Sequence, residues 1–320
     1  MRIIEGDSAL EVRRLVEEGV QVDSIVTDPP YYLESIVKRF GKKGSAPAKS
    51  GSDGRFTRQS AGFHEQTWDA ADSTGYKISH DPEFWKSCLD ILKPGGFCLA
   101  FSSPMTGHRQ ACAMEDSGFR MHPFIGWAYS TGYPKGHSVS KARPHAIGFE
   151  GQMHGTQTLK PAIEPIYVAQ KPYSEKTAVD SIVKHGVGAF NIEACRVENG
   201  NRYPANLVHD GSIEVISSLS GYAEYFNCFA PYPKANKEDR AGSKHPTVKP
   251  VALMRHLIRL VTPIGGTVLD PFGGSGTTAQ AAVDELMQCI IIERDKTFIG
   301  DINGRLNLNR NLYLDLLGIS

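Results

Sequence analysis

Asp28-Pro29-Pro30-Tyr31 stands directly behind the apolar run from Val22 to Thr27. A strand that ends this way brings three tools to one sheet edge. Asp28 is an acceptor. The Pro29 and Pro30 backbone offers rigid carbonyls with no competing N–H. Tyr31 offers a flat face for stacking. Together these suit the gripping of an exocyclic amino group on a nucleic-acid base. A second motif, Asp270-Pro271-Phe272-Gly273-Gly274-Ser275-Gly276-Thr277-Thr278, comes late in the chain. Its glycines permit a tight turn and let a ligand approach the backbone without Cβ interference. The helix that follows presents unpaired N–H groups at its N-terminus. Glu293 closes the next apolar run, about 20 residues on, where an acid grips ribose hydroxyls in dinucleotide folds. This is the pattern of a nucleoside-cofactor loop. Gly274-Ser275-Gly276-Thr277-Thr278-Ala279 also satisfies G-x-G-x-x-A, so NAD is a rival ligand, whereas no Lys follows the glycines as a nucleoside triphosphate loop requires.

The elements that must position these groups alternate between strand and helix. Arg2 to Glu5 reads as a strand, and Ser8 with Glu11 as a capping box for a helix ending at Gly19. Val22 to Thr27 is a second strand. Asp81-Pro82 opens a helix with Phe84, Trp85, Cys88, Leu89 and Leu92 on its apolar face. Phe97 to Phe101 is a third strand, Ser103-Pro104 opens another helix, and Phe124 to Tyr129 and Ile166 to Ala169 are further strands. Val251 to Val261 is helical, Thr267 to Asp270 and Cys289 to Glu293 are strands, and a leucine-bearing helical segment ends the chain. Such alternation predicts an α/β fold, a doubly wound, mostly parallel sheet with ligand sites at the carboxyl ends of its strands.

Two stretches break the pattern. Residues 34–67 are nearly devoid of apolar side chains around Gly41 to Gly54 and are expected to form a mobile loop. Residues 171–245, rich in Pro, Asn, Tyr and Gly, read as an inserted recognition region. The domain reading is therefore 1–170 with 246–320 as the catalytic and cofactor-binding unit, and 171–245 as the insertion. Net charge is zero, but residues 34–59 hold seven basic and two acidic side chains, and 130–260 hold sixteen and eleven. A polyanion would feel those local fields rather than the total. The six cysteines lack CxxC spacing, and the eleven histidines lack HxH or HxxxH pairs, so reduced thiols and no metal site are expected. No apolar run reaches about 18 residues and Met1 to Glu5 carries no secretory signal, which points to a cytoplasmic protein without a membrane span.

The chain resembles the S-adenosylmethionine-dependent DNA amino-methyltransferases, in particular the permuted β group, where the D/S-P-P-Y/F/W motif precedes the recognition region and F-x-G-x-G comes last. Asp28 to Tyr31 matches the first motif and Phe272 to Gly276 the second. His245-Pro246-Thr247-Val248-Lys249-Pro250 matches the H-P-T-x-K-P stretch that members carry upstream of the cofactor strand. The resemblance implies a seven-stranded Rossmann-like methyltransferase sheet with S-adenosylmethionine as cofactor. It implies that Asp28 and the Pro29 carbonyl accept from the target amino group, in the setting of Pro30, while Tyr31 stacks on a base flipped out of duplex DNA. It gives Asp270, Pro271, Phe272, Gly273, Gly274, Ser275, Gly276 and Thr277 to the methionine part of the cofactor, Glu293 to its ribose, Asp7 to its adenine, and Lys249 and Pro250 to its methionine end. It also allows a homodimer and a place in restriction–modification.

The chemistry then follows. An exocyclic amine is a poor nucleophile because its lone pair is delocalised, and two acceptors can draw it towards tetrahedral geometry. The sulfonium methyl is already activated, so positioning carries much of the rate. Cytosine C5 methylation needs a thiolate, and none of the cysteines follows a proline as in that family's motif. Lys38, Arg39, Lys42, Lys43, Arg55 and Arg58 are expected to meet DNA phosphates, and Arg196, Arg202 and Asn206 to read bases. Asp at the head of the motif favours adenine N6 over cytosine N4 by the family's habit. The alternatives are an N4-cytosine enzyme, an NAD-dependent oxidoreductase, a DNA-binding protein without turnover, and a methyltransferase acting on RNA or protein glutamine.

Overall fold

The structure, a computed structural model, describes residues 1–32, 75–197, 202–228, 240–243 and 248–316, with backbone alone for 308–316. The basic candidates Lys38, Arg39, Lys42, Lys43, Arg55 and Arg58, and His245, Pro246 and Thr247, lie outside the described residues.

In chain order the elements are β1 (Arg2–Glu5), α1 (Ser8–Glu17), β2 (Val22–Thr27), α2 (Pro82–Ile91), β3 (Leu92–Phe101), α3 (Gly107–Asp116), β4 (Arg120–Ala128), β5 (Lys135–Ser138), α4 (Val139–Ala142), β6 (Met153–Gln157) and β7 (Ile163–Gln170). They continue as α5 (Ala178–His185), β8 (Leu207–His209), α6 (Ile213–Ser218), β9 (Asn227–Cys228), α7 (Val251–Val261), β10 (Thr267–Asp270), α8 (Thr277–Asp284), β11 (Gln288–Glu293) and α9 (Lys296–Leu316).

One sheet runs β1-β11-β10-β2-β3-β7-β4-β8-β9, and β5 and β6 form a separate pair. Its first seven strands are the expected doubly wound sheet. The short strands β8 and β9 extend one edge, so part of the 171–245 stretch is woven into the main sheet. Pairing is parallel except around β7, which is antiparallel to both β3 and β4. Strand residues alternate between two cores, as the pleat requires. Val26 and Leu99 pack with Leu253, Leu257 and Ile258 of α7 and Ala281 of α8. Ile25, Cys98 and Ala100 pack with Leu15 of α1, Trp85 of α2 and Met114 of α3. Among the described residues helices therefore cover both faces of the sheet.

Chain direction reverses its lateral course between β10 and β2: β2 leads through α2 to β3 on one side, β10 through α8 to β11 on the other. Such a switch point opens a crevice at the carboxyl strand ends. Local sequence sets the elements around it. Asp7, rather than Ser8, is the N-cap of α1, its Oδ1 accepting from the Ala9 and Leu10 N–H groups at 3.0 and 3.2 Å. Ser8 is thereby freed to donate to the Pro271 carbonyl at 2.6 Å, tying α1 to the glycine loop. Asp81 caps α2 with Pro82 at its first turn, as its sequence indicates. Ser103-Pro104 starts the approach to α3, but helical backbone begins at Gly107.

Candidate active site

The two motifs meet. Thr27, last of β2, donates its hydroxyl to Asp270 Oδ1, last of β10, at 2.7 Å. Asp28 is the next residue of one strand and Pro271 the next of the other, so the tetrapeptide and the glycine turn share one edge at the switch point. Asp270 is 2% exposed, and its carboxylate also accepts from the Thr278 hydroxyl at 2.5 Å and the Phe272 N–H at 3.0 Å. Burial raises its pKa, and those donors pull against the rise. Its side chain shapes the turn from within.

The turn itself depends on its glycines. A Cβ on Gly273 would stand 2.5 Å from Ile291 Cγ1, and Gly276 holds φ +80 against Ile302. Gly276 caps α8 without a side-chain bond, leaving its first N–H groups for a ligand. Glu293 faces this turn, its Oε2 accepting from the Gly274 N–H at 2.7 Å and its Oε1 from Asp295 N–H at 2.8 Å. Burial raises the pKa of Glu293. Each carboxylate oxygen has a second lone pair, so this acid can take ribose hydroxyls as well. Asp7 is exposed just past β1, the strand beside β11, and Phe272 packs against Phe84 at a centroid distance of 5.5 Å. A glycine cradle, an uncapped helix end and two spaced acids are a donor set that fits a nucleoside with a polar tail.

On the other side of the switch point the tetrapeptide is pinned. Ser79 donates to the Pro30 carbonyl at 2.8 Å and Thr106 to the Tyr31 carbonyl at 2.7 Å. Among the described residues the Pro29 carbonyl has no such partner. The Tyr31 hydroxyl is bonded to Asp28 Oδ1 at 2.7 Å and to Glu164 Oε1. Lys249 sits among them at 7% exposure. Its Nζ donates to Glu164 Oε1 at 2.8 Å and the Tyr31 hydroxyl at 3.0 Å, and pairs with Asp28 Oδ2 at 3.2 Å, with the Phe101 ring beneath it at 4.6 Å. Burial pushes the Asp28 carboxyl up to about 6, the Lys249 ammonium draws it down, and Glu164 pushes it up again. Tyr31 is held well above the ordinary phenol range by burial and then by the two carboxylates.

Lys249, a cofactor-site candidate from its sequence motif, lies against Asp28 and Tyr31. Glu164 is a site residue that sequence reasoning missed. It is the second residue of β7, and only because that strand runs antiparallel does its beginning fall on the carboxyl edge. The signal was there in an acid followed by proline at the head of an apolar strand.

The base-reading candidates stand apart from this cluster. Arg196 bonds Glu193 at 2.8 Å and covers the Tyr203 ring, and Arg202 covers the Tyr225 ring at 3.8 Å. Asn206 donates to the Phe124 carbonyl at 3.2 Å, joining β8 to β4. Among the described residues no group of three or more His, Cys, Asp or Glu side chains could hold a metal ion, and no helix is long and apolar enough to cross a membrane.

Residues 22–303 match the DNA methylase family of N6 and N4 enzymes. The chain belongs to that family. It is similar to the Type II methyltransferase M.HindIII of Haemophilus influenzae, with 27% identity over 331 residues, covering 97% of this chain and 96% of the relative. It is also similar to the Type II methyltransferase M2.DpnII of Streptococcus pneumoniae, with 22% identity, covering 96% of this chain and 89% of the relative. Among solved structures, the M1.HpyAVI-SAM complex aligns with a TM-score of 0.54 at 19% identity, covering 96% of this chain and 98% of that one. That likeness bears on the fold, a Rossmann-like methyltransferase sheet. Membership makes the chain a DNA methyltransferase, with Asp28 to Tyr31 inside the matched span.

Proposed function

We propose that this DNA methyltransferase moves a methyl group from S-adenosylmethionine to the exocyclic N6 of adenine in double-stranded DNA. The observation that carries the reading is the Thr27–Asp270 bond, which sets the amine-gripping tetrapeptide and the nucleoside-type loop side by side. The glycine turn, Glu293 and Asp7 would hold the cofactor, which when bound supplies an activated methyl group. Asp28 and the Pro29 carbonyl take the two hydrogens of the target amine. Asp28 Oδ1 and Oδ2 each keep an acceptor position beyond their bonds to Tyr31 and Lys249. The Tyr31 ring stacks on the flipped base, which offsets part of the few kcal/mol that flipping costs. Asp at the head of the tetrapeptide supports adenine through the family resemblance. Residues 171–245 are the proposed sequence-reading region, and a cytoplasmic location goes with a DNA substrate.

Digesting DNA treated with the protein and cofactor to nucleosides, and weighing the modified base, tests the reading. N6-methyladenine is the expected product; N4-methylcytosine would move the target, and unmodified DNA would remove the proposal. Asp28→Ala is expected to slow methyl transfer about a thousandfold, the scale of removing a preorganised electrostatic group, with cofactor affinity retained by calorimetry.

A cavity beside the tetrapeptide supports DNA as the partner. Lys77, His80, His108 and Arg109 line it together with Thr106, the residue that holds the Tyr31 carbonyl. Lys77 and Arg109 outnumber the single acid Asp116 on this wall, while burial, then the nearby Lys77, Arg109 and His108, lower the His80 pKa and keep that imidazole neutral at pH 7. A backbone phosphate next to the flipped nucleotide fits there. The double substitution His108→Ala, Arg109→Ala is expected to weaken DNA binding and to flatten the slope of log affinity against log salt by about one for each phosphate no longer neutralised. Fluorescence anisotropy over a salt series checks it; an unchanged slope would exclude a phosphate at this wall.

A further inference from the structure

Asp28, Tyr31, Glu164 and Lys249 enclose a place for one more proton. A phenol hydroxyl has a single hydrogen, yet the Tyr31 oxygen lies within bonding distance of Asp28 Oδ1, at 2.7 Å, and of Glu164 Oε1. The three hydrogens of the Lys249 ammonium are directed to Glu164, Tyr31 and Asp28. With both carboxylates ionised, the hydroxyl hydrogen serves one of them, and the other meets the phenol oxygen with no hydrogen between. The cluster then holds two negative charges and one positive behind a wall of low exposure, side chains 8% exposed at Lys249, 14% at Glu164 and 20% at Asp28. One added proton supplies the second hydrogen and makes the cluster neutral. Among the described residues, the other groups facing it include the Tyr129 phenol, which feels both Glu164 and Lys249, and the uncharged Phe101 ring.

The reaction releases one proton. As the N–C bond forms, the C–S bond breaks with its electron pair left on sulfur, and the target nitrogen goes from NH2 to NH–CH3 by giving up a hydrogen without its electrons. We infer that Glu164 is the terminal acceptor of that proton and the Tyr31 hydroxyl its relay. The proton passes from the target nitrogen to Asp28. Asp28 then donates to the Tyr31 oxygen while Tyr31 hands its own hydrogen to Glu164. Lys249 is a positioning residue that holds all three oxygens. The tyrosine of the tetrapeptide thus works at both ends, its ring against the base and its hydroxyl in the relay. The inference rests on the amino-methyltransferase reading above.

Turnover on duplex DNA by the full chain, measured from pH 5 to 9, tests the relay. The wild-type rate is expected to rise through about pH 6, where Asp28 ionises. Tyr31→Phe keeps the stacking ring and most of the packing, and Glu164→Gln keeps the shape of the acid. Each is expected to slow turnover about a hundredfold, the usual scale of a lost acid–base group, with cofactor and DNA affinity unchanged. The double variant should be no slower than either single one, because both break one path. Glu164→Asp should recover part of the rate, and added formate should accelerate Glu164→Ala. A Glu164→Gln protein with wild-type rate and pH profile would overturn the relay, as would a fast Tyr31→Phe protein, multiplicative losses, or variants that lose cofactor binding instead of turnover. A wild-type protein that methylates no DNA would overturn the functional reading itself.

Discussion

Replacing Lys249 with methionine should remove both activity and about 3–5 kcal/mol of stability at neutral pH, the range for breaking a buried ion pair from one side. Methionine fills similar volume, so the loss is electrostatic. Asp28 and Glu164 would be left facing each other without the ammonium that now bonds both. The pH dependence has a definite sign. Asp28 titrates near 3.8 when unfolded and is pushed up to about 6 in the fold, chiefly by burial. The folded state therefore holds this proton more tightly, and its share of stability is present in acid, declines as pH rises from about 4 to 6, and is flat above that. Lys249 is the main force lowering that value. Without it the Asp28 carboxyl moves further up and the decline continues to higher pH. Urea denaturation of both proteins at pH 5.5 and 8 should show a gap that is larger at pH 8. Equal gaps would mean that the lysine acts through packing alone.

Asp270→Ala is expected to be nearly as damaging, through the opposite half of the site. The wild-type carboxylate accepts from the Thr27 hydroxyl, the Thr278 hydroxyl and the Phe272 N–H. Alanine leaves two buried hydroxyls and the half-buried Phe272 N–H, with about 1–3 kcal/mol lost for each buried donor left unsatisfied, though water entering the space recovers part of that. Stability should drop by about 3 kcal/mol, and S-adenosylmethionine affinity should fall by more than about tenfold, since 1.4 kcal/mol of lost turn geometry suffices. Asp270→Asn, which keeps the shape and one acceptor oxygen, should fall between. Chemical denaturation and calorimetry on the three proteins check the order. Wild-type cofactor affinity in Asp270→Ala would show that β2 and β10 stay aligned without this bond.

What could be read from the sequence was what is locally encoded. The glycine turn requires residues without Cβ at Gly273 and positive φ at Gly276, and those demands leave a mark in the chain itself. The amphipathic helix Val251–Val261 and the strand Thr267–Asp270 match their expected limits, because periodicity and flanking Gly265-Gly266 are local signals. What escaped was what depends on distant pairing. The direction of β7 is settled by its neighbours β3 and β4, and that direction alone brings Glu164 to Tyr31. Lys249 has no sequence neighbour among its partners. Ser8 reads as a helix cap by type, but its bond to Pro271, 263 positions away, leaves the cap to Asp7. Strands β8 and β9 are too short, at three and two residues, to announce themselves by alternation.

The order of strands also bears on biosynthesis. β1 pairs with β11 alone, and the Met1 ammonium reaches Gln288, 287 positions on. At about 5–20 residues per second, a ribosome needs about 15–60 s to deliver that partner after the first strand emerges. Until β10 emerges, β2 has β3 on one flank and no partner on the other, and the Asp28 edge stands without the glycine turn beside it. A chain that stops short of Glu293 therefore lacks β11, the strand that joins β1 to β10, and the acid that faces the glycine turn.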